Sequence, residues 1–275
     1  MNELLLGMTV LGSIGLVVGL VLAIANKKLS VEKNPLVEKI RAVLPGADCG
    51  ACGFAGCDAF AEAVAEGKAP ANGCVAGGAS VALAVGKVLG VEVDTSERKV
   101  ARLHCQGTSA VAKKKAEYNG VDTCASAQLI SLGDKACPFG CLGLGDCVAA
   151  CPFDALHIGE NGLPVTDIDK CTGCGECVKA CPRGILELVP VSRTTVISCS
   201  SHDFGPTVKK YCTVGCIGCT LCEKKCPQHT IHMDNQLAVI DYANCDNCGV
   251  CIEVCPTKAI IRVEGRVAVV SDNES

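Results

Sequence analysis

The sequence predicts an α+β chain of four parts: an N-terminal transmembrane helix, a small four-cysteine domain, and two small tandem domains of similar build. Three observations predict it. Twenty-four of the 275 residues are cysteine, and most stand in one spacing. An uncharged apolar run fills Leu4 to Ala25, and the C-terminal half aligns on itself. Half of the chain is hydrophobic, yet it holds only five Phe, three Tyr and no Trp, too little aromatic volume for one large core. Small domains stapled by metal fit better, because a metal site replaces a missing hydrophobic core. The boundaries expected are an anchor over 1–26, a four-cysteine domain over 27–90, a connector with Cys105 over 91–119, and tandem domains over 120–188 and 189–275.

The run Leu4–Ala25 would span about 33 Å as a helix, close to the thickness of a bilayer core. A signal peptide is the competing reading. Glu3 in place of an N-terminal cation, the length of the run, and the positive charges after it all oppose cleavage. Lys27, Lys28, Lys33, Lys39 and Arg41 follow the run, so the positive-inside rule places the rest of the chain in the cytoplasm, on the inner membrane. Gly15 and Gly19 form a G-x3-G that could pack on a partner helix.

Cys49, Cys52, Cys57 and Cys74 make the first set, crowded by Gly46, Gly50, Gly53, Gly56 and Gly73. Such glycines permit left-handed turns and let backbone N–H groups approach sulfur. Asp58–Lys68 reads as an amphipathic helix between the third and fourth cysteines, and Ala79–Leu89 as a second helix. A zinc knuckle competes, but one [4Fe–4S] cluster is the expectation.

Beyond it, C-x2-C-x2-C-x3-C-P occurs three times: at Cys171, Cys174, Cys177 and Cys181; at Cys216, Cys219, Cys222 and Cys226; and at Cys245, Cys248, Cys251 and Cys255. In this bacterial ferredoxin pattern three thiolates hold one [4Fe–4S] cube and the fourth reaches its neighbour. Disulfides need only pairs, and zinc sites usually pair two C-x2-C units. Five scattered histidines and the absence of C-x2-C-H exclude haem attachment.

Shifted by 75 residues, Cys124, Cys137, Cys141, Cys147 and Cys151 fall on Cys199, Cys212, Cys216, Cys222 and Cys226. After a one-residue deletion, Cys171, Cys174, Cys177 and Cys181 fall on Cys245, Cys248, Cys251 and Cys255. Two ferredoxin-like domains follow, with short strands such as Ile185–Leu188 and Ile260–Val263. In the second, Cys216, Cys219, Cys222 and Cys255 take one cube, and Cys245, Cys248, Cys251 and Cys226 the other. In the first, Cys171, Cys174, Cys177 and Cys151 are a full set. The remaining set has Cys141, Cys147 and Cys181, but Leu144 stands where the repeat has Cys219. Either Cys105 or Cys137 replaces the missing ligand, or the cluster has three irons. Repeat symmetry favours Cys124, Cys137, Cys199 and Cys212 as a sixth site between the domains, with Cys105 as the substitute. Buried free thiols are the alternative, which leaves five or six clusters per chain.

The net charge of −4 gives no basic footprint for nucleic acid. No G-x-G-x-x-G opens a strand–helix unit, and no P-loop, G-x-S-x-G or H-E-x-x-H occurs. The residues point to electron transfer, with substrate chemistry left to other subunits.

At this point the chain resembles the B subunits of the Rnf complexes, the ion-translocating ferredoxin:NAD oxidoreductases of bacterial membranes. The resemblance covers nearly the whole length. It rests on the short anchor, LPGADCGACGFAGC with NGC, HCQG, CPFGCLGLGDCVAACPFDAL and the tandem motifs. Val75-Ala76 departs from a segment that is usually proline-rich in the family, and leaves the four cysteines intact. The resemblance implies a translocase component that takes electrons from soluble ferredoxin into a complex moving Na⁺ or H⁺, with other Rnf-type subunits as partners. The C-terminal domains would receive electrons, and the Cys49 set would pass them on. An electron-transfer component of another membrane redox enzyme, or of a complex that reduces a redox-sensing regulator, is the alternative.

Overall fold

The structure is a computed structural model, and it describes residues 12–13, 15–24, 34–93 and 97–263. Residues 15–24 are helical, and Leu16, Val17, Val18, Leu20, Val21, Leu22 and Ile24 are all at least half exposed. Among the described residues no helix is long and apolar enough to cross a membrane. The rest of the expected anchor lies outside them.

The first unit is helical. α1 (Pro35–Val43) opens on Asn34, whose side chain accepts from the Leu36 N–H, with proline in its first turn. α2 (Cys57–Ala65) and α3 (Gly78–Leu89) match the two expected helices within a few residues at their starts. Gly56 offers α2 no capping side chain. Asp48 supplies it instead, its Oδ1 accepting from the Cys57 N–H at 2.6 Å. That hydrogen bond, ahead of the Arg41 charge, holds the Asp48 carboxyl below its usual range. Arg41 binds Asp48 and Asp58 together. The core is Ile40, Phe60, Ala61, Val64 and Val85. Phe60 packs edge-on to Phe54 at 5.7 Å, and a side chain at Gly73 would strike its ring at 2.9 Å.

The remainder is two similar α+β units. The first runs β1 (Lys99–Leu103), α4 (Cys124–Leu129), α5 (Asp146–Ala149), β2 (Leu156–Ile158), β3 (Pro164–Thr166), α6 (Glu176–Ala180) and β4 (Leu186–Pro190). The second runs β5 (Thr195–Ile197), α7 (Gly205–Tyr211), α8 (Leu221–Lys225), β6 (Ile231–Asp234), β7 (Leu237–Ile240), α9 (Val250–Glu253) and β8 (Ile260–Arg262). Each unit has an antiparallel hairpin, β2–β3 or β6–β7, and an antiparallel pair of its first and last strands, β1–β4 or β5–β8.

The connector expected over 91–119 is therefore not a connector. It contributes β1, in register with β4 from Lys99↔Pro190 to Leu103↔Leu186. The stretch 104–113 also welds the two units. The His104 ring lies 2.8 Å from the Ile197 carbonyl, Gln106 donates to the Lys258 carbonyl at 2.7 Å, and the Lys113 N–H donates to the Tyr211 carbonyl at 2.8 Å.

No sheet exceeds two strands among the described residues. A lone two-stranded pair is marginal in water, so sulfur completes the cores. Cys147, Cys171 and Cys177 are buried with Val100, Leu156 and Leu186. Cys216, Cys222, Cys226 and Cys251 are buried with Ile197, Ile231, Ile240 and Ile260. The helical unit has a core of its own, so Phe60→Ala should cost about 3–5 kcal/mol there and leave 97–263 intact. Hydrogen exchange resolved along the chain would show deprotection confined to 34–93.

Candidate metal centres

Four cysteines line each of five cavities. Cys49, Cys52, Cys57 and Cys74 surround the first, in the helical unit. Cys216, Cys219, Cys222 and Cys255 surround a second, and Cys226, Cys245, Cys248 and Cys251 a third, both in the second α+β unit. In each of these two the solitary cysteine comes from beyond its own triplet, as the spacing expects. Cys171, Cys174, Cys147 and Cys151 all lie near enough to Cys177 to act on its thiol, so the expected partners of Cys177 stand close to it, with Cys147 of the neighbouring set beside them.

Two groupings differ from expectation. Cys124, not Cys105 or Cys137, stands with Cys141, Cys147 and Cys181. Cys105 takes the place expected for Cys124, joining Cys137, Cys199 and Cys212 around a cavity between the units. The reason lies in the strands. Cys105 follows β1 as Cys199 follows β5, so Cys105 is the true counterpart of Cys199. The alignment of Cys124 with Cys199 is a coincidence of spacing, created by the longer segment between β1 and α5. Cys124 opens α4, where Asp146 accepts from the Cys124 and Ala125 N–H groups at 2.8 and 3.0 Å. That clamp brings Cys124 to the side left open by Leu144.

The triplets share one local design. Gly145, Gly175 and Gly249 precede α5, α6 and α9 with φ of +82° to +85°, and Thr220 precedes α8 with φ of +60°. The left-handed residue reverses the chain so that the next cysteine enters a helix with its sulfur turned inward.

Backbone donors surround the sulfurs. The Ala155 and Ala259 N–H groups donate to Cys151 and Cys255 at 3.3 Å. Gly107 and Cys141 donate to Cys105 at 3.3 Å, while Ser201 and Cys216 donate to Cys199 at 3.5 and 3.2 Å. Burial, aided by neighbouring thiols, pushes Cys141, Cys177 and Cys251 up to about 12 and Cys147 and Cys222 to about 11. Burial likewise pushes Cys199 up to about 12 against the pull of its two N–H donors. Cys226 alone moves down among those shifted: burial opposes it, but the Thr230 hydroxyl at 3.4 Å and nearby N–H groups prevail.

The residues fit polynuclear iron–sulfur clusters. No disulfide joins any of the 24 cysteines. No group of three His, Cys, Asp or Glu among the described residues gathers as a single-ion site. Each of the five cavities is lined by four cysteines and opens to the surface. Four thiolates at such a void need cationic iron to balance them, and loading would release their protons.

Sequence reasoning missed two cations beside these sets, Lys135 and Arg183. Arg183 was visible in principle, as the C-P-R after Cys181 where the repeat has C-P-T.

Known proteins match the same residues. A family model for an Fe-S cluster matches residues 44–76, and a 4Fe-4S dicluster domain matches 215–259. Models for a 4Fe-4S binding domain match 141–155 and 164–187. The chain is 46% identical over 259 residues to the B subunit of the ion-translocating oxidoreductase complex of Methanosarcina acetivorans, covering 94% of this chain and 98% of that protein. It is 47% identical over 263 residues to the B subunit of the proton-translocating ferredoxin:NAD(+) oxidoreductase complex of Clostridium ljungdahlii, covering 94% and 93%. It is 45% identical over 260 residues to the B subunit of the Na(+)-translocating ferredoxin:NAD(+) oxidoreductase complex of Acetobacterium woodii, covering 94% and 78%.

The grouping has a direct spectroscopic check. Cys124→Ser and Cys105→Ser should perturb different clusters, and the double variant should lose up to about eight iron atoms, four per cube. Electron paramagnetic resonance spectra in which both single variants alter the same component would contradict it.

Proposed function

The chain belongs to the family of the B subunits of ion-translocating oxidoreductase complexes, and from that premise we propose that it is the membrane-anchored wire that carries electrons from reduced ferredoxin into a complex that reduces NAD and moves Na⁺ or H⁺. The observation that carries this reading is the succession of cysteine sets within 97–263, neighbours there being tied together by short stretches of chain. Bound [4Fe–4S] clusters supply one-electron carriers. All else is the work of this chain, which gathers the cysteines of each set around one void.

The links can be followed residue by residue. Cys181 closes the Cys171 motif yet lines the Cys124 cavity, and Cys151 closes the Cys141 run yet stands with Cys171, Cys174 and Cys177. The Cys141 N–H then reaches Cys105 of the interunit set, and the Cys216 N–H reaches Cys199 of the same set. Cys226 and Cys255 exchange in the same way within the second unit. In this reading six clusters use all 24 cysteines.

Direction follows from exposure and from the anchor. Cys219 and Cys248 are the exposed cysteines of the chain, both in the second α+β unit, which suits that unit to receive electrons from ferredoxin. The Cys49 set lies about twenty residues beyond the apolar run and is placed to hand electrons to membrane partners. The exposed apolar residues of 15–24 suit a single anchoring helix, with the clusters on the cytoplasmic side as Lys27, Lys28 and Lys33 direct.

Cys49→Ala should leave ferredoxin oxidation by the isolated chain at wild-type rate and abolish NAD reduction by the assembled complex. Stopped-flow absorbance and steady-state NADH formation measure the two. Unchanged NAD reduction would contradict the proposed path.

A further inference from the structure

Two cations stand against the interunit set without an ion-pair partner, Lys135 buried and Arg183 half-buried. Lys135 is 7% exposed and lines the cavity of Cys105, Cys137, Cys199 and Cys212. Its ammonium donates to the Gly107 carbonyl at 2.7 Å. Arg183 lines the adjoining cavity of Cys124, Cys141, Cys147 and Cys181. Its guanidinium donates to the Cys137 and Gly140 carbonyls at 3.1 and 2.6 Å and to the Gln128 side chain at 2.9 Å. Neither enters an ion pair among the described residues. Every hydrogen-bond acceptor named is neutral, and Asp146, which lines the cavity of Arg183, is engaged instead by the Cys124 and Ala125 N–H groups. A buried charge is costly unless an opposite charge lies near. The thiols are the groups that both cations face: Lys135 acts on Cys141 and Cys212, and Arg183 is acted on by Cys137, Cys141, Cys105 and Cys181.

The repeat has no such pair. Thr257 stands where Arg183 stands, and Lys210, two residues before Cys212 as Lys135 is before Cys137, is exposed. No charged residue lines the cavity of Cys216, Cys219, Cys222 and Cys255.

We propose that Lys135 and Arg183 are positioning residues for charge: they make the interunit set, and with it the Cys124 set, easier to reduce than the neighbouring Cys216 set. An electron arriving in the second unit then falls toward the first. One electron leaves the Cys216 set, which is oxidised by one equivalent, and the interunit set is reduced by one; no bond forms or breaks. A one-electron iron–sulfur carrier protein of low potential supplies it. Local charge is among the determinants of such potentials. The inference rests on the reading that the sets hold clusters.

The test is a potentiometric titration followed by electron paramagnetic resonance on the full chain, with iron content measured on each sample. In Lys135→Met one component should move to lower potential by on the order of tenfold in its reduction equilibrium, ~59 mV for one electron. Lys135→Arg should hold it in place. Unmoved potentials in a fully loaded Lys135→Met protein would overturn the inference, whereas missing iron in the wild type would instead overturn the cluster reading. If Lys135→Met does not fold, Arg183→Gln should lower the interunit and Cys124-set components together, and unmoved potentials there would overturn the inference. The wild type decides independently. Of the interunit and Cys216-set components, identified by the changes that Cys212→Ser and Cys219→Ser cause, the interunit one should be reduced first, and the reverse order would overturn the inference.

Discussion

Thiols brought together out of water repel one another as they ionise, and every other feature of this protein answers that problem. Cys141, Cys177, Cys199 and Cys251 sit in places where burial above all drives the thiol up to about 12. Nothing in an aliphatic core stabilises such groups as thiolates. Backbone N–H groups help, two each at Cys105 and Cys199, but only metal cations balance four thiolates at one void. Loading and folding are then coupled, as in other small metal-stapled domains. The two-stranded sheets and the few buried aliphatics around each set would not persist on hydrophobic burial alone.

The same constraint shapes the backbone. Left-handed residues before α5, α6, α8 and α9 place successive sulfurs around a void instead of along a surface. Thr220 tolerates that conformation at φ +60° although a β-branched residue disfavours it. At the interface, Gln106, His104 and the β1–β4 pairing hold Cys105 against the second unit's Cys199 and Cys212. One cysteine set thereby joins two units.

How much of this the sequence discloses depends on how local the information is. The triplets are local: two residues between cysteines bring three sulfurs to one void whatever surrounds them, and the helices near Asp58 and Ala79 follow from short-range apolar periodicity. Solitary cysteines are different. Which of Cys105 and Cys124 lines the cavity of Cys141, Cys147 and Cys181 is settled by strand pairing between residues 99–103 and 186–190 and by the Asp146 clamp on α4. Neither leaves a mark in spacing, and the coincident offset of Cys124 from Cys199 points the wrong way. Lys135 is less legible still, since an isolated lysine in a polar stretch reads as a solvated one until its burial is seen.

The central claim is that all 24 cysteines work as six cluster-binding sets, with the sixth built between the units. Iron and acid-labile sulfide per chain, determined on anaerobically purified full-length protein, address it most directly. About 24 iron and about 24 sulfide are expected, four of each per cube. About 20 of each would mean that one set stays empty and that the units are not joined by a cluster. Zinc in place of iron would contradict the electron-transfer reading from its foundation.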